Sequence, residues 1–233
     1  MTRIASFHLI REPALRTPLV LARLGTDRPR LDHVPGLLFW RLLGTGRGDH
    51  TGAGADLART ALFAVWADER ALDRFLDTHL VARRWRRANE HWNVRLRGLG
   101  GHGSWRGFDP LEDLAAGAHG TPIAVITRAT VRRQAWRSFG TASRLVDAEL
   151  HAAPGLIDVV AIGEAPIGRL ATFSLWESIE AARGFAYSMP DHQEVVRRTR
   201  SEDWYAEEFF ARFEPYASAG TWNGRDPLAD RVR

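Results

Sequence analysis

One heptapeptide occurs twice in this chain. WRGFDPL, Trp105 to Leu111, returns as WNGRDPL, Trp222 to Leu228, with five of seven positions identical. Two further pairs keep the same order: PGLLFW from Pro35 answers PGLIDV from Pro154, and ALFAVW ending at Trp66 answers ATFSLW ending at Trp176. The paired landmarks are 110 to 119 residues apart. A duplication of this length constrains the fold more than any composition does, because each copy builds the same unit and the two units are available to cover each other.

The copies read alike element by element. RIASFHLI (3–10) alternates as a strand, ALRTPLVLARL (14–24) suits a helix whose start is blurred by Pro18, and GLLFWRLL and ARTALFAVW are β-rich. DERALDRFL and HLVARRWRRANEH have helical spacing, and WNVRLRGL closes the unit as a strand. The second copy gives TPIAVITRAT, a helix over 133–151, GLIDVVAIG, GRLATFSLW, then ESIEAARGFAY and DHQEVVRRTR as helices. Its last segment, WYAEEFFARF, is a strand by analogy with its partner, although helical spacing also fits. The order is β-α-β-β-α-β, the ferredoxin-like split unit, whose sheet has one bare face to bury. The expected fold class is therefore α+β: two ferredoxin-like repeats, 1–106 and 121–233, joined by a linker at 107–120 and closed into an intramolecular pseudo-dimeric α/β barrel. The glycine-rich GTGRGDHTGAGAD joins two strands and leads into no helix, so it reads as a hairpin connection able to act as a lid, not as a phosphate cradle.

Composition then removes several chemistries. The 233 residues include no cysteine, which excludes disulfides, thiolate metal sites, iron–sulfur clusters and thiolate-ligated haem. All 32 basic residues are arginine, so lysine Schiff-base chemistry is excluded as well. The arginines are scattered among 28 acidic residues, with short runs only at ARRWRR and VVRRTR, and no nucleic-acid partner is expected. No stretch approaches the roughly 18 apolar residues of a membrane span, and the first residues lack a secretory pattern, so the expected location is cytoplasmic.

No Gly-x-Ser-x-Gly elbow, HExxH or close histidine pair marks a nucleophile or a bare metal site. A haem needs only one histidine. His192 opens a helix just after Pro190 and Asp191, and its i+3, i+4 and i+7 positions are Val195, Val196 and Thr199, an apolar stripe. Its twin in the first copy, His79, has Ala82, Arg83 and Arg86 at those positions, a polar face. By spacing alone, His192 is a core histidine or a ligand. His8 lies within the first strand and points either into the barrel or away from it, whereas His33, His50, His102 and His119 read as loop residues. Trp66, Trp176, Trp92 and Trp204 fall at repeat-equivalent places and read as core.

Three stretches, GTPIAVITRATVR, ATFSLWESIEAARGFAY with the histidine that follows, and WYAEEFFARFEPYASAGTWNGRDPL, together with FAVW and ARRWRRANEHWNVRL in the first half, resemble the spheroidene monooxygenase family of acyclic carotenoid ketolases. The resemblance implies a haem-dependent oxidoreductase of the dimeric α/β-barrel group, a monooxygenase acting on an apolar carotenoid or another specialised metabolite. It implies haem b, with O2 and electrons from a ferredoxin or reductase partner, and it admits a homodimer. Carried over to this sequence, the iron ligand is His192, with Arg128, Arg197 and Arg198 as cation partners for the haem propionates. The relatives of that fold leave open a haem-dependent dehydratase acting on nitrogen-containing groups, a non-catalytic haem-binding protein, and a cofactor-free barrel monooxygenase.

Overall fold

The computed structural model describes residues 2–46, 54–118, 120–164, 169–188 and 190–232. The first repeat supplies β1 (Ile4–Arg11), α1 (Thr17–Thr26), α2 (Arg28–Leu31), β2 (Leu37–Gly46), β3 (Ala55–Trp66), α3 (Glu69–Thr78), α4 (Leu80–Trp85) and β4 (Glu90–Gly103). The second supplies β5 (Ile123–Val131), α5 (Trp136–His151), β6 (Leu156–Gly163), β7 (Arg169–Trp176), α6 (Ile179–Ser188), α7 (Pro190–Ser201) and β8 (Tyr205–Gly220). Short 3-10 turns at Ala14–Arg16 and Arg133–Ala135 lead into α1 and α5. The final segment is thus a strand, as its partner in the first copy suggested. The helix expected over 79–91 is shorter: α4 stops at Trp85, and Glu90 and His91 already pair with β1.

The eight strands close into one antiparallel barrel in the order β1-β3-β2-β6-β7-β5-β8-β4. The repeats meet at two seams. At the long one, β4 runs along β8 from Trp92↔Gly220 to Gly103↔Phe209; at the short one, among the described residues, β2 pairs with β6 at Gly44↔Gly163 and Thr45↔Ile162. Because side chains alternate along a strand, one set from every strand fills the barrel and the other faces the helices. Phe7 of the first half stacks on Phe173 of the second, with ring centroids 3.9 Å apart, and Val94, Ile126 and Phe213 pack in the same cluster.

The repeated motifs have structural reasons. Trp105 and Trp222 are fully buried in the barrel cluster. Each opens a two-residue turn, Arg106-Gly107 (φ 56°, 72°) and Asn223-Gly224 (φ 53°, 82°), the left-handed pair that favours Asn-Gly and in the first copy is met by Arg-Gly. A glutamate from the other repeat fastens each turn: Glu207 accepts from Gly107 N (3.1 Å) and Glu90 from Gly224 N (2.6 Å). Gly36 and Gly155, of the two PGL motifs, have φ of 81° and 78°, and a Cβ at either would come within 2.6 Å of Ala71 or Ala181 on the helix above. Residues 107–120 also take part in the packing: Phe108, Leu111 and Leu114 lie against the barrel cluster. Register pairs Trp92 with Leu9 as they pair Phe209 with Arg128, so Phe209 and not Trp204 is the partner of Trp92 in the second copy. All four tryptophans are nonetheless buried.

Candidate functional site

The outer faces of the two half-sheets differ. On the first, one lateral row runs Leu42, Leu62, His8, Asn93 across β2, β3, β1 and β4. The matching row of the second runs Ala161, Thr172, Thr127, Phe210 across β6, β7, β5 and β8. Leu42, Leu62 and His8 are 7%, 0% and 0% exposed, and one continuous apolar cluster reaches from Ile4 through Trp66 to Trp85. In the second half the three corresponding side chains are smaller, Thr127 in mid-strand is exposed, and Thr172 is half-buried. The apolar packing there is split in two: one cluster holds Val125, Leu150, Val159 and Trp176, the other Val131, Ala135 and Trp204, with Phe139 and Val195 against it. The row of small side chains falls in the gap. Ala161 is itself buried, so the opening lies at Thr172 and Thr127, and a sheet face with small, partly exposed side chains at its centre is a candidate ligand cleft.

His8 settles the filled side. Its ring faces the helices, not the barrel interior, and lies 5.2 Å from Trp85. Ser6 Oγ is 3.0 Å from His8 Nε2 and accepts from Trp66 Nε1 (2.8 Å), while His8 Nδ1 is 3.4 Å from His91 Nε2. Burial, the neighbouring His91 and Arg95 push His8 well below the ordinary histidine value, and burial with Arg86 takes His91 down to about 4. Both rings are therefore neutral packing elements. His79 is spent on structure too: it is the N-cap of α4, its Nδ1 accepting from Val81 N (3.4 Å), and it stacks on Phe75 at 5.0 Å.

The cleft is roofed by α5, α6 and α7. His192 is the third residue of α7; its side chain and that of Val196 lie outside the described residues. Two members of its stripe are described: Val195 packs against Val131, Ala135 and Trp204, and Thr199 Oγ1 is buried. The register i, i+3, i+7 therefore belongs to the sheet-facing side of α7. Arg197 is bound to Glu194 (2.6 and 2.8 Å) and turns outward, and Arg198 is bound to Glu202 (2.8 Å) with its guanidinium 4.8 Å from the Trp204 ring.

Arg128 is elsewhere. Its neighbours Thr127 and Ala129 face the helices, so alternation turns Arg128 into the barrel, where it is 3% exposed and meets Glu207, Thr130 (2.7 Å) and Glu164 (3.7 Å). Arg41 and Arg106 reach the same Glu164 at 3.2 and 3.3 Å, and burial lowers Arg41 to about 10. Burial alone would raise Glu207, but the bonds from Arg128, Gly107 and Ser104 hold it below the usual carboxylate value. This is a barrel-end ion network on the opposite face of the sheet from α7, the helix that carries His192.

Two residues that sequence reading did not single out stand at the cleft. Arg212, on β8 two residues beyond Phe210 and on the same face, has a buried Nε without a hydrogen-bond partner. His102, expected in a loop, is in β4, where it pairs with Phe210, stacks on its ring at 5.7 Å and stays exposed. Only the strand register, with β4 running past β8, exposes this; nothing in GLGGHGSW signals it. Residues 47–53, the middle of the glycine-rich lid candidate, and 165–168 lie outside the described residues, as do His50 and His119. Among the described residues no three His, Asp or Glu side chains gather to hold a metal ion, and no helix is long and apolar enough to cross a membrane.

Two ferredoxin-like repeats closed into one barrel, with a single face opened under its helices, define a pseudo-dimeric α/β-barrel protein. The fold is that of aldoxime dehydratases. One such crystal structure aligns over 92% of this chain and 81% of its own at a TM-score of 0.54 and 10% identity, and one with butyraldoxime over 92% and 79% at 0.55 and 12%. No known family profile matches the sequence. Curated relatives do: spheroidene monooxygenase of Rubrivivax gelatinosus is 35% identical over 193 residues, 82% of this chain and 73% of that protein. The enzyme of the same name from Rhodobacter capsulatus is 29% identical over 98% of this chain and 97% of its own length. That of Cereibacter sphaeroides is 27% identical over 91% of this chain, which spans 66% of that longer protein. The chain belongs to the spheroidene monooxygenase family.

Proposed function

We propose that this chain is a haem-dependent monooxygenase that oxygenates an apolar, carotenoid-like substrate in the cleft of the second half, working in the cytoplasm with electrons from a ferredoxin or reductase. The observation that carries the reading is the row Ala161, Thr172, Thr127: where the first half fills the sheet face with Leu42, Leu62 and His8, the second leaves space for a flat apolar group between two packed clusters. The residues present fit a haem. His192 lies in the sheet-facing register of α7, the chain has no thiolate to compete for iron, and Arg212 carries an orphaned buried Nε suited to a propionate. Arg198 at the Trp204 edge of α7 is the second cation, Arg197 a more exposed third, and Arg128 drops out of the set because it is on the inner face. Bound haem would supply the activation of O2 that the side chains of this chain cannot.

The protein's own work is positional. Small residues at the row leave room, Phe210, Phe139 and Val195 border it with apolar surface, and His102, stacked on Phe210, adds a polar group at the rim. Likeness to aldoxime dehydratases is of fold alone and does not favour dehydration.

The test is an absorption spectrum of protein expressed with a haem precursor. Wild type is expected to show a Soret band, His192→Ala to lose or shift it, and His79→Ala to keep it. A colourless wild type, or an unchanged band in His192→Ala, would overturn the ligation. Turnover of an acyclic carotenoid is expected to require both O2 and reductant.

A further inference from the structure

A second feature stands apart from the cleft and does not depend on haem. Seven large apolar side chains among the described residues are conspicuously exposed, and three belong to one region: Leu15 (98%) and Leu19 (46%) on the turn and helix α1, and Leu57 (43%) on the adjoining β3, where Ala58 O accepts from Glu12 N at 2.8 Å; Leu21 (45%) is exposed on the flank of α1. Pro18 and Ala22 are exposed beside them, so positions 15, 18, 19 and 22 form an outward apolar stripe at i, i+3, i+4, i+7. On its inner side α1 buries only Val20.

The charges around the stripe are one-sided. Glu12 and Asp27 are 6% and 5% exposed; Glu12 is bound to Arg23 (2.8 Å) and Arg16 (3.3 Å), and Asp27 to Arg84 (2.5 Å) and Arg30 (3.4 Å). What solvent sees from Pro13 to Leu31 is Arg16, Arg28 and Arg30, and the first exposed carboxylate, Asp32, comes only after α2. An aliphatic stripe flanked by guanidinium groups and without aromatic side chains lacks the anchors of a protein interface and has the two terms of interfacial lipid binding: apolar insertion and attraction to anionic headgroups.

We propose that the Leu15–Ala22 face docks the protein on an anionic lipid surface. Co-sedimentation with vesicles of phosphatidylglycerol and phosphatidylcholine, against pure phosphatidylcholine, tests it. Wild type is expected to bind the anionic vesicles, less so as salt rises. Leu15→Glu/Leu19→Glu should lower the bound fraction about tenfold or more, with an unchanged near-UV spectrum because neither leucine is core. Arg28→Glu/Arg30→Glu should abolish the preference for anionic vesicles. Wild type that does not bind, or a leucine variant that binds as well as wild type, overturns the proposal. So does a wild-type dimer that Leu15→Glu/Leu19→Glu makes monomeric without any vesicle binding, which would assign the face to a second copy.

Discussion

The two halves of this barrel share a topology and part company at three register-equivalent positions. Leu42, Leu62 and His8 close the first sheet face against α3 and α4, while Ala161, Thr172 and Thr127 leave the second open beneath α7, which at 12 residues has twice the length of α4. The comparison teaches how a duplicated scaffold divides its labour. One copy covers the middle of its sheet with a continuous apolar cluster; the other breaks that cluster in two and leaves small side chains between the parts.

The sharpest way to break the comparison is to transplant the filled row. Ala161→Leu/Thr172→Leu/Thr127→His should remove activity and haem uptake by about a hundredfold or more, since the added volume takes the space of the flat group, while the melting temperature of the protein without haem holds or rises. Retained activity in a folded triple variant would separate the row from the site. A smaller effect is expected from acid. His8 and His91 are neutral in the folded state with lowered values, so unfolding takes up protons between the ordinary 6.5 and about 4 for His91. Stability is complete above that window and falls as the pH drops through it, by about 3 kcal/mol for the His91 shift alone. Urea titrations at pH 7 and 4.5 should show the loss, and His91→Gln should flatten the slope without touching the second half. The smallest effect concerns Arg212: Arg212→Leu should weaken haem retention about tenfold in transfer to an acceptor protein, with Arg212→Lys intermediate, because a single propionate contact is at stake.

Much of this could be read directly from residues. The WxGxDPL and PGL pairs announced the duplication, and the structure gives their cause in the left-handed turns at Gly107 and Gly224 and the close helix contacts at Gly36 and Gly155. The preference for His192 over His79 rested on helical spacing, and the structure gives His79 a capping role at the start of α4 that spacing did not reveal. The side of the sheet on which Arg128 lies was not legible for a local reason: a strand residue changes face with every step, and both faces of β5 mix apolar with polar side chains, so β5 alone does not tell which face meets the helices. His102 and Arg212 were invisible because their relevance depends on which strand lies beside which.

The sequence alone determined that there are two units, that each is β-α-β-β-α-β, and that no thiolate or lysine takes part, because repeats, periodicity and composition are local and countable. Closure into one barrel was already expected from the duplication; only the tertiary structure decided that the small side chains fall on the second sheet face and that Glu90 and Glu207 each fasten the other repeat's turn. Those outcomes depend on strand register and on which side chains fill shared space, quantities that exist only once distant segments are in contact.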